Sequence, residues 1–325
     1  MKLNLNDSFE QQAIAQNLAI KNDVELQSVL QEMETKRKPL YQKQNIALIS
    51  VLLSIVMMVA GPFVLPLPPL FYVLPFVVFC FGCALFSHTK PIFSELKNTY
   101  KEKVMIPVLS IIDDSITFQP DSGISQREFT ASLLFNNEPD VYSSEDFIRG
   151  KIDKTEFYLS EVKAETKDKQ RNNKSTTTIF KGIIFRADFN KNFEGITILS
   201  ADLYRVNIAQ PHKVIPTIPI EMENTAFNKM FNIRTTDEIE ARYLLSPLMM
   251  EKLIELNEKS PASIGMSFVN NSIYIAFPYV RQLFEPQMHK SFLDVDALQA
   301  DLYVIRLMCL AIKELRLNLR IWGKD

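Results

Sequence analysis

Three groups of residues have types and spacings suited to chemistry. Cys80 and Cys83 stand in a CxxC arrangement, the spacing of redox dithiols and of half a zinc site. They fall inside an apolar run, where a thiol behaves as a small hydrophobe. Cys309, the remaining cysteine, is far away in sequence. No second CxxC completes a tetrahedral site, so helix packing is the expected role. Asp113 and Asp114 form an acidic pair ahead of an expected strand at Ile116, Thr117 and Phe118. A cation there would need further oxygen ligands from elsewhere in the fold, while turn chemistry alone accounts for paired Asp. The third group is the run KDKQRNNKSTT over residues 167–177, which holds Lys167, Lys169, Arg171 and Lys174 and no apolar residue. It predicts a long exposed loop. Near a bilayer each such cation is worth about 1 kcal/mol toward anionic headgroups, which makes these four residues candidates for partner or lipid contact. The competing reading is a solvated hairpin tip.

Other catalytic patterns do not occur. GxSxG, HExxH and GxxxxGK[ST] are absent, and eight glycines in the whole chain leave few phosphate-binding turns. His88, His212 and His289 lie near no Cys, Ser or acid in a recognised spacing, and each is expected at a surface or interface. Glu238, Glu240, Arg242, Arg281 and Glu285 are the polar residues most embedded among apolar ones, and are expected to form half-buried ion pairs that fix the fold. No catalytic, cofactor-binding or metal-binding residue is assigned, and no cofactor is expected. Binding is favoured over catalysis.

The elements that would position these residues begin with residues 46–87, which contain no Lys, Arg, Asp, Glu or His. A bilayer core of about 30 Å needs roughly 20 apolar residues per helix. The run divides around Pro66, Pro68 and Pro69 into two such lengths, 46–65 and 70–87. Lys36, Arg37, Lys38 and Lys43 precede the first, and Lys90, Lys97, Lys101 and Lys103 follow the second. Lys and Arg close to a span resist translocation, and the turn between the spans is uncharged. Both flanks, and hence both termini, are therefore expected on the cytoplasmic side. A cleaved signal peptide would place its apolar core nearer the N-terminus, so the hairpin reads as a permanent anchor.

Around it the chain divides into a polar, partly helical leader (1–45), the hairpin (46–87) and one cytosolic domain (88–325). A net charge of -2 gives no basic face for nucleic acid, and three cysteines give no disulfide framework. In the leader, Ile14, Leu18, Val24, Leu30 and Met33 make a weak helical pattern leading to Pro39. Phe93, Leu96, Tyr100 and Val104 predict a helix over 91–109. Strands are expected at 156–166, 178–189 and 193–200, the last two as a hairpin turning at Asn190 and Asn192. Thr235 and Glu238 have capping-box spacing for a helix through Leu245. Ser246 and Pro247 start another, with Leu248, Met249, Leu253 and Leu256 as its buried stripe. Asn270 and Asn271 join strands 264–269 and 272–277. From Asp294 a long helix carries Leu298, Leu302, Ile305, Cys309, Ile312 and Leu315 on one covered face. The fold class is α+β: a two-helix transmembrane hairpin followed by a mixed domain of antiparallel strands and packed helices.

The two-span hairpin followed by IFKGIIFRADFNKNFEGITIL, IRTTDEIEARYLLSPLMMEKLIEL, FVNNSIYIAFP and LFEP resembles the bacterial membrane proteins grouped as domain of unknown function family 3137. The resemblance implies a multi-pass protein of the bacterial inner membrane with no established activity, and makes a LemA-like membrane protein a candidate partner. The leading functional class is a membrane-anchored cytosolic interaction or sensing module. The alternatives are a membrane-associated enzyme with an unrecognised site and an accessory subunit of a membrane transport assembly. A pore usually marks its path with intramembrane charges, and these spans have none. Gly61, Gly82 and Ala84 offer close helix packing.

Overall fold

The computed structural model describes residues 5–64, 73–167, 176–189, 192–201, 215–279 and 283–314. They cluster into two compact units, one built mainly from Leu109–Leu283 and the chain from Gln299 onward, the other from Ala13–Val108 with Phe284–Leu298.

The helical unit contains most of α1 (Leu5–Asn22), all of α2 (Val24–Val64) and α3 (Val73–Tyr100), and a π-helical turn at Lys101–Met105; the helix then continues as α4 (Ile106–Ile112). Asp23 breaks α1 from α2 and caps the second by accepting the Leu26 N–H at 3.0 Å. The leader helix expected to end at Pro39 does not end there: α2 runs through Pro39 into the apolar stretch without interruption. The reason is a seam that ignores the polar–apolar boundary. Leu26, Leu30, Met33, Arg37, Leu40, Ala47 and Ser54 are buried at spacings of three, four and seven. On α3, Pro75, Gly82, Thr89 and Leu96 are buried at intervals of seven. Such spacing keeps one face of each helix against the other as they wind together. Its burial offsets the roughly 3 kcal/mol that an interior proline costs a helix. Ile14, Leu18 and Val24, which open the weak helical pattern, are exposed.

In the other unit, nine strands among the described residues form one antiparallel sheet, in the order β1-β2-β3-β4-β9-β8-β5-β7-β6. The ranges are β1 (Thr117–Gln119), β2 (Val141–Ile152), β3 (Thr155–Lys167), β4 (Thr176–Asp188), β5 (Thr197–Ala201), β6 (Ile218–Ile220), β7 (Phe231–Thr235), β8 (Gly265–Val269) and β9 (Ser272–Pro278). Both faces of the central strands are apolar and buried. Val162, Ala164, Ile184 and Ala276 pack on one face around Phe129 of α5 (Gln126–Ala131). Phe157, Leu159, Ile183, Phe185, Ile273 and Ile275 alternate with them on the other.

The expected pairing of 178–189 with 193–200 does not form. β4 pairs with β3 and β9, while β5 pairs with β7 and β8, so the β8–β9 hairpin is inserted between them. Tertiary packing chose the partner: the β8–β9 hairpin takes the edge of β4 that the expected pairing gave to 193–200. Phe189 donates its N–H to the Asn271 carbonyl at 2.9 Å, and Phe193 donates its own to Asn271 Oδ1 at 2.8 Å. Phe189, Phe193 and Phe268 then stack edge to face. Asn270 and Asn271 hold φ of 50° and 56°, the left-handed turn expected for this pair. Replacing Asn271 by Ala removes both the tolerance for that φ and the bond to Phe193. Thermal or chemical unfolding should report a loss of about 1–2 kcal/mol.

Three further expectations change in detail. The cap of α7 (Glu238–Leu244) is Asp237, not Thr235, which ends β7; Asp237 accepts the N–H groups of Ile239 and Glu240. Ser246 does cap α8 (Pro247–Lys259), but Leu248 is exposed and Met250 takes its place beside Met249, Leu253 and Leu256. In α9 (Val295–Glu314), Leu298, Leu302, Ile305 and Ile312 are buried, and so are Val304, Leu307, Met308 and Ala311. That helix is enclosed on most sides rather than on one stripe. Leu315 lies outside the described residues.

Candidate functional site

The residues with chemical promise in sequence are scattered in space. Lys167 ends β3, exposed, with its N–H donated to Asp140 Oδ2 at 2.8 Å. Lys169, Arg171 and Lys174, like His212 and Arg281, lie outside the described residues. Cys80 and Cys83 are both exposed, off the seam that α3 makes with α2, where the residue between them is Gly82. Asp113 accepts the Ser115 N–H at 2.9 Å, a turn role. His88 and His289 are exposed. Among the described residues no cluster of three metal-ligating side chains occurs. Glu240 accepts the N–H groups of Glu194 and Gly195 at 2.9 and 2.5 Å and so pins the approach to β5. Arg242 joins Glu238 and Glu223, each at 2.8 Å, on the surface, where such pairs contribute little.

The best-organised polar groups are at the polar end of the helical unit. Arg37 and Glu34 form a buried fork, Nε to Oε2 and Nη2 to Oε1, both 2.8 Å. The remaining Arg37 nitrogen, Nη1, donates to the Met288 carbonyl at 2.5 Å, and Glu34 Oε2 accepts the Phe292 N–H at 3.0 Å. The guanidinium also lies 5.8 Å from the ring centres of Phe292 and Tyr41. The Arg37 hydrogen bond outweighs desolvation and holds the Glu34 carboxyl at about 2. Lys97 reaches Glu285 at 2.5 Å, and Lys101 approaches it at 3.9 Å. Residues 284–292 are thereby strapped to α2 and α3. Sequence inspection found Glu285 but missed Glu34, because an acid three residues from an Arg on a polar helix looks like a solvated pair.

Beside this strap a groove of about 370 Å³ runs between α2 and α3. Its walls are Met33, Leu40, Ile92 and Leu96, and its charges are Lys36, Lys43, Lys103, Glu32 and Glu95. Val29 and Glu32 face Thr99 and Lys103 across it, while Gly82 lies against Ala47, Ser50 and Val51, so the helices are antiparallel. A β-carbon on Gly82 would stand 2.7 Å from Ser50 Oγ; only glycine permits this approach. Past Lys43 the outward face of both helices is apolar: Ile49 is 64% exposed, Leu52 62%, Leu74 62% and Phe81 58%.

A second polar cluster lies on the sheet. Arg149, Tyr158, Arg186, Tyr274 and Ser267 stand directly opposite one another across β2, β3, β4, β9 and β8. Arg186 lies 5.1 Å from the Tyr158 ring centre and 5.9 Å from that of Tyr274, and donates to Tyr158 Oη and Ser272 Oγ at 3.1 Å. Tyr158 in turn donates to Glu128 of α5. Burial raises the Glu128 carboxyl and pushes the Tyr142 hydroxyl up to about 12. These groups satisfy one another and dock α5; no nucleophile faces a general base.

An antiparallel α+β unit carried on a chain with two long apolar helices is thus the class of protein that the structure defines. Residues 178–317 match the family described as "Protein of unknown function (DUF3137)". No curated protein matches it. Among solved structures it is similar to the mycobacterial trehalose monomycolate transport factor A, TtfA. There the TM-score is 0.36 at 9% identity, over 65% of this chain and 93% of that one.

Proposed function

We propose that this chain is a membrane-anchored interaction module, its helical pair crossing the bilayer at residues 46–65 and 70–87 and its α+β unit offered to partners on the cytoplasmic side. The observation that carries this reading is the exposure of the apolar helices. In their most apolar windows only 11% and 17% of residues are buried. A core helix of a water-soluble protein would bury most of such a surface, and leaving it in water would cost on the order of 25 cal/mol per Å². Hydrocarbon removes that cost. The lysines stand outside the apolar stretch on both sides.

We read the membrane as a bacterial plasma membrane, a reading that the family resemblance supports, and Lys167, Lys169, Arg171 and Lys174 remain the proposed contacts with lipid or partner. A cytoplasm-only reporter fused after Asp325 should be active and a periplasm-only reporter silent; the reverse would defeat the orientation. Affinity purification from native membranes should return a membrane protein, with a LemA-like protein the specific candidate. A chain recovered alone would remove the interaction reading.

A further inference from the structure

We propose that the groove between α2 and α3 is a binding site for one anionic phospholipid, its phosphate held by Lys43 and its first acyl carbons lying along Leu40 and Ile92. This deepens the membrane reading and rests on it. Lys43 is three residues before Ile46, less than one helical turn from the start of the exposed apolar face. The groove therefore opens where headgroups would lie. Its volume, about 370 Å³, falls in the range of sites that take small molecules.

The charges select the sign of the occupant. Three lysines line the groove against Glu32 and Glu95. Glu32 is engaged by Lys36 at 2.6 Å, whereas Lys43 makes no ion pair among the described residues. An amine with no carboxylate partner among the described residues, beside an apolar wall that continues into the lipid-facing surface, matches a phosphate carrying an acyl chain better than it matches a zwitterionic lipid. A free phosphate would leave Met33, Leu40 and Ile92 uncovered; a helix from a second copy would bring apolar side chains against Lys43.

The test uses the full-length protein in mild detergent, offered equal amounts of phosphatidylglycerol and phosphatidylcholine, with retained lipid counted by native mass spectrometry. Retention of phosphatidylglycerol over phosphatidylcholine is expected. Lys43→Gln should reduce it about fivefold, the ~1 kcal/mol that one lysine contributes toward an anionic headgroup. Lys36→Gln, which frees the Glu32 carboxylate at the groove, should act in the same direction. Lys38→Gln, exposed on α2 but outside the groove, should leave retention unchanged. Equal retention of the two lipids, equal losses from Lys38→Gln and Lys43→Gln, or a dimer with no bound lipid would overturn the proposal. Flotation with vesicles of phosphatidylcholine alone separates the two readings. Protein that floats but shows no preference for phosphatidylglycerol fails only the groove, and protein that does not float fails the membrane reading and the groove with it.

Discussion

Replacing Arg37 by Ala is expected to lower the stability of the full-length protein by about 3–5 kcal/mol, because it leaves the Glu34 carboxylate buried without its countercharge. The loss should be local in origin. Arg37 supplies both halves of the fork to Glu34 and the bond to the Met288 carbonyl, so residues 284–292 lose the Met288 bond outright and the fork that positions Glu34 for the Phe292 N–H. Limited proteolysis in detergent should cut this segment in Arg37→Ala under conditions that leave the parent intact. Converting Arg37 and Glu34 together to Leu and Met should cost far less, since an apolar pair leaves no stranded charge. The same pair sets a pH dependence. The folded-state carboxyl of Glu34 is held at about 2 against an ordinary value of 4.5. Its contribution is complete above about 4.5 and is lost as pH falls through the interval toward 2. Unfolding midpoints measured down this interval should fall more steeply for the parent than for the Leu and Met double variant. Equal slopes, or an unaltered proteolysis pattern in Arg37→Ala, would contradict the strap.

Ile305→Ala in α9 is the second large effect, about 2–5 kcal/mol for a fully buried aliphatic side chain cut to a methyl. Ile305 and Leu302 are both completely buried, in a helix whose neighbouring positions Val304, Leu307 and Met308 are buried as well. Such an enclosure has little room to collapse around a cavity. Ile239→Ala offers the contrast: the side chain is 84% exposed on α7, and its loss should stay within about 0.5 kcal/mol. Chemical unfolding of the two variants in the same detergent separates them. If Ile305→Ala unfolds with the parent, the burial assigned to α9 is wrong.

The elements specified by local chemistry were legible in the sequence. The Asn270–Asn271 turn, the Ser246–Pro247 helix start and the apolar run of 46–87 each carry their cause within a few residues. The elements specified by distant partners were not. Nothing near Asn190 says that β9 will occupy the edge of β4, because that choice depends on Phe268 and Asn271 some eighty positions away. The seam of α2 was obscured for a different reason. Its Leu26, Leu30, Met33 and Leu40 are interleaved with Glu, Lys and Gln, and Arg37 occupies a seam position that a hydrophobic pattern scores as a break. The polar clusters followed the same rule. Arg186 lies within an apolar strand with nothing beside it in sequence to mark it, and only the register of three strands brings Tyr158 and Tyr274 to either side of it.

Extraction of membranes with alkaline carbonate tests the membrane anchor most directly. The full-length chain should stay in the membrane pellet, and a chain lacking residues 46–87, joined through a short flexible linker, should move to the supernatant while retaining a cooperative unfolding transition. Full-length protein released by carbonate, or found in the soluble fraction before treatment, would contradict a helical pair embedded in the bilayer.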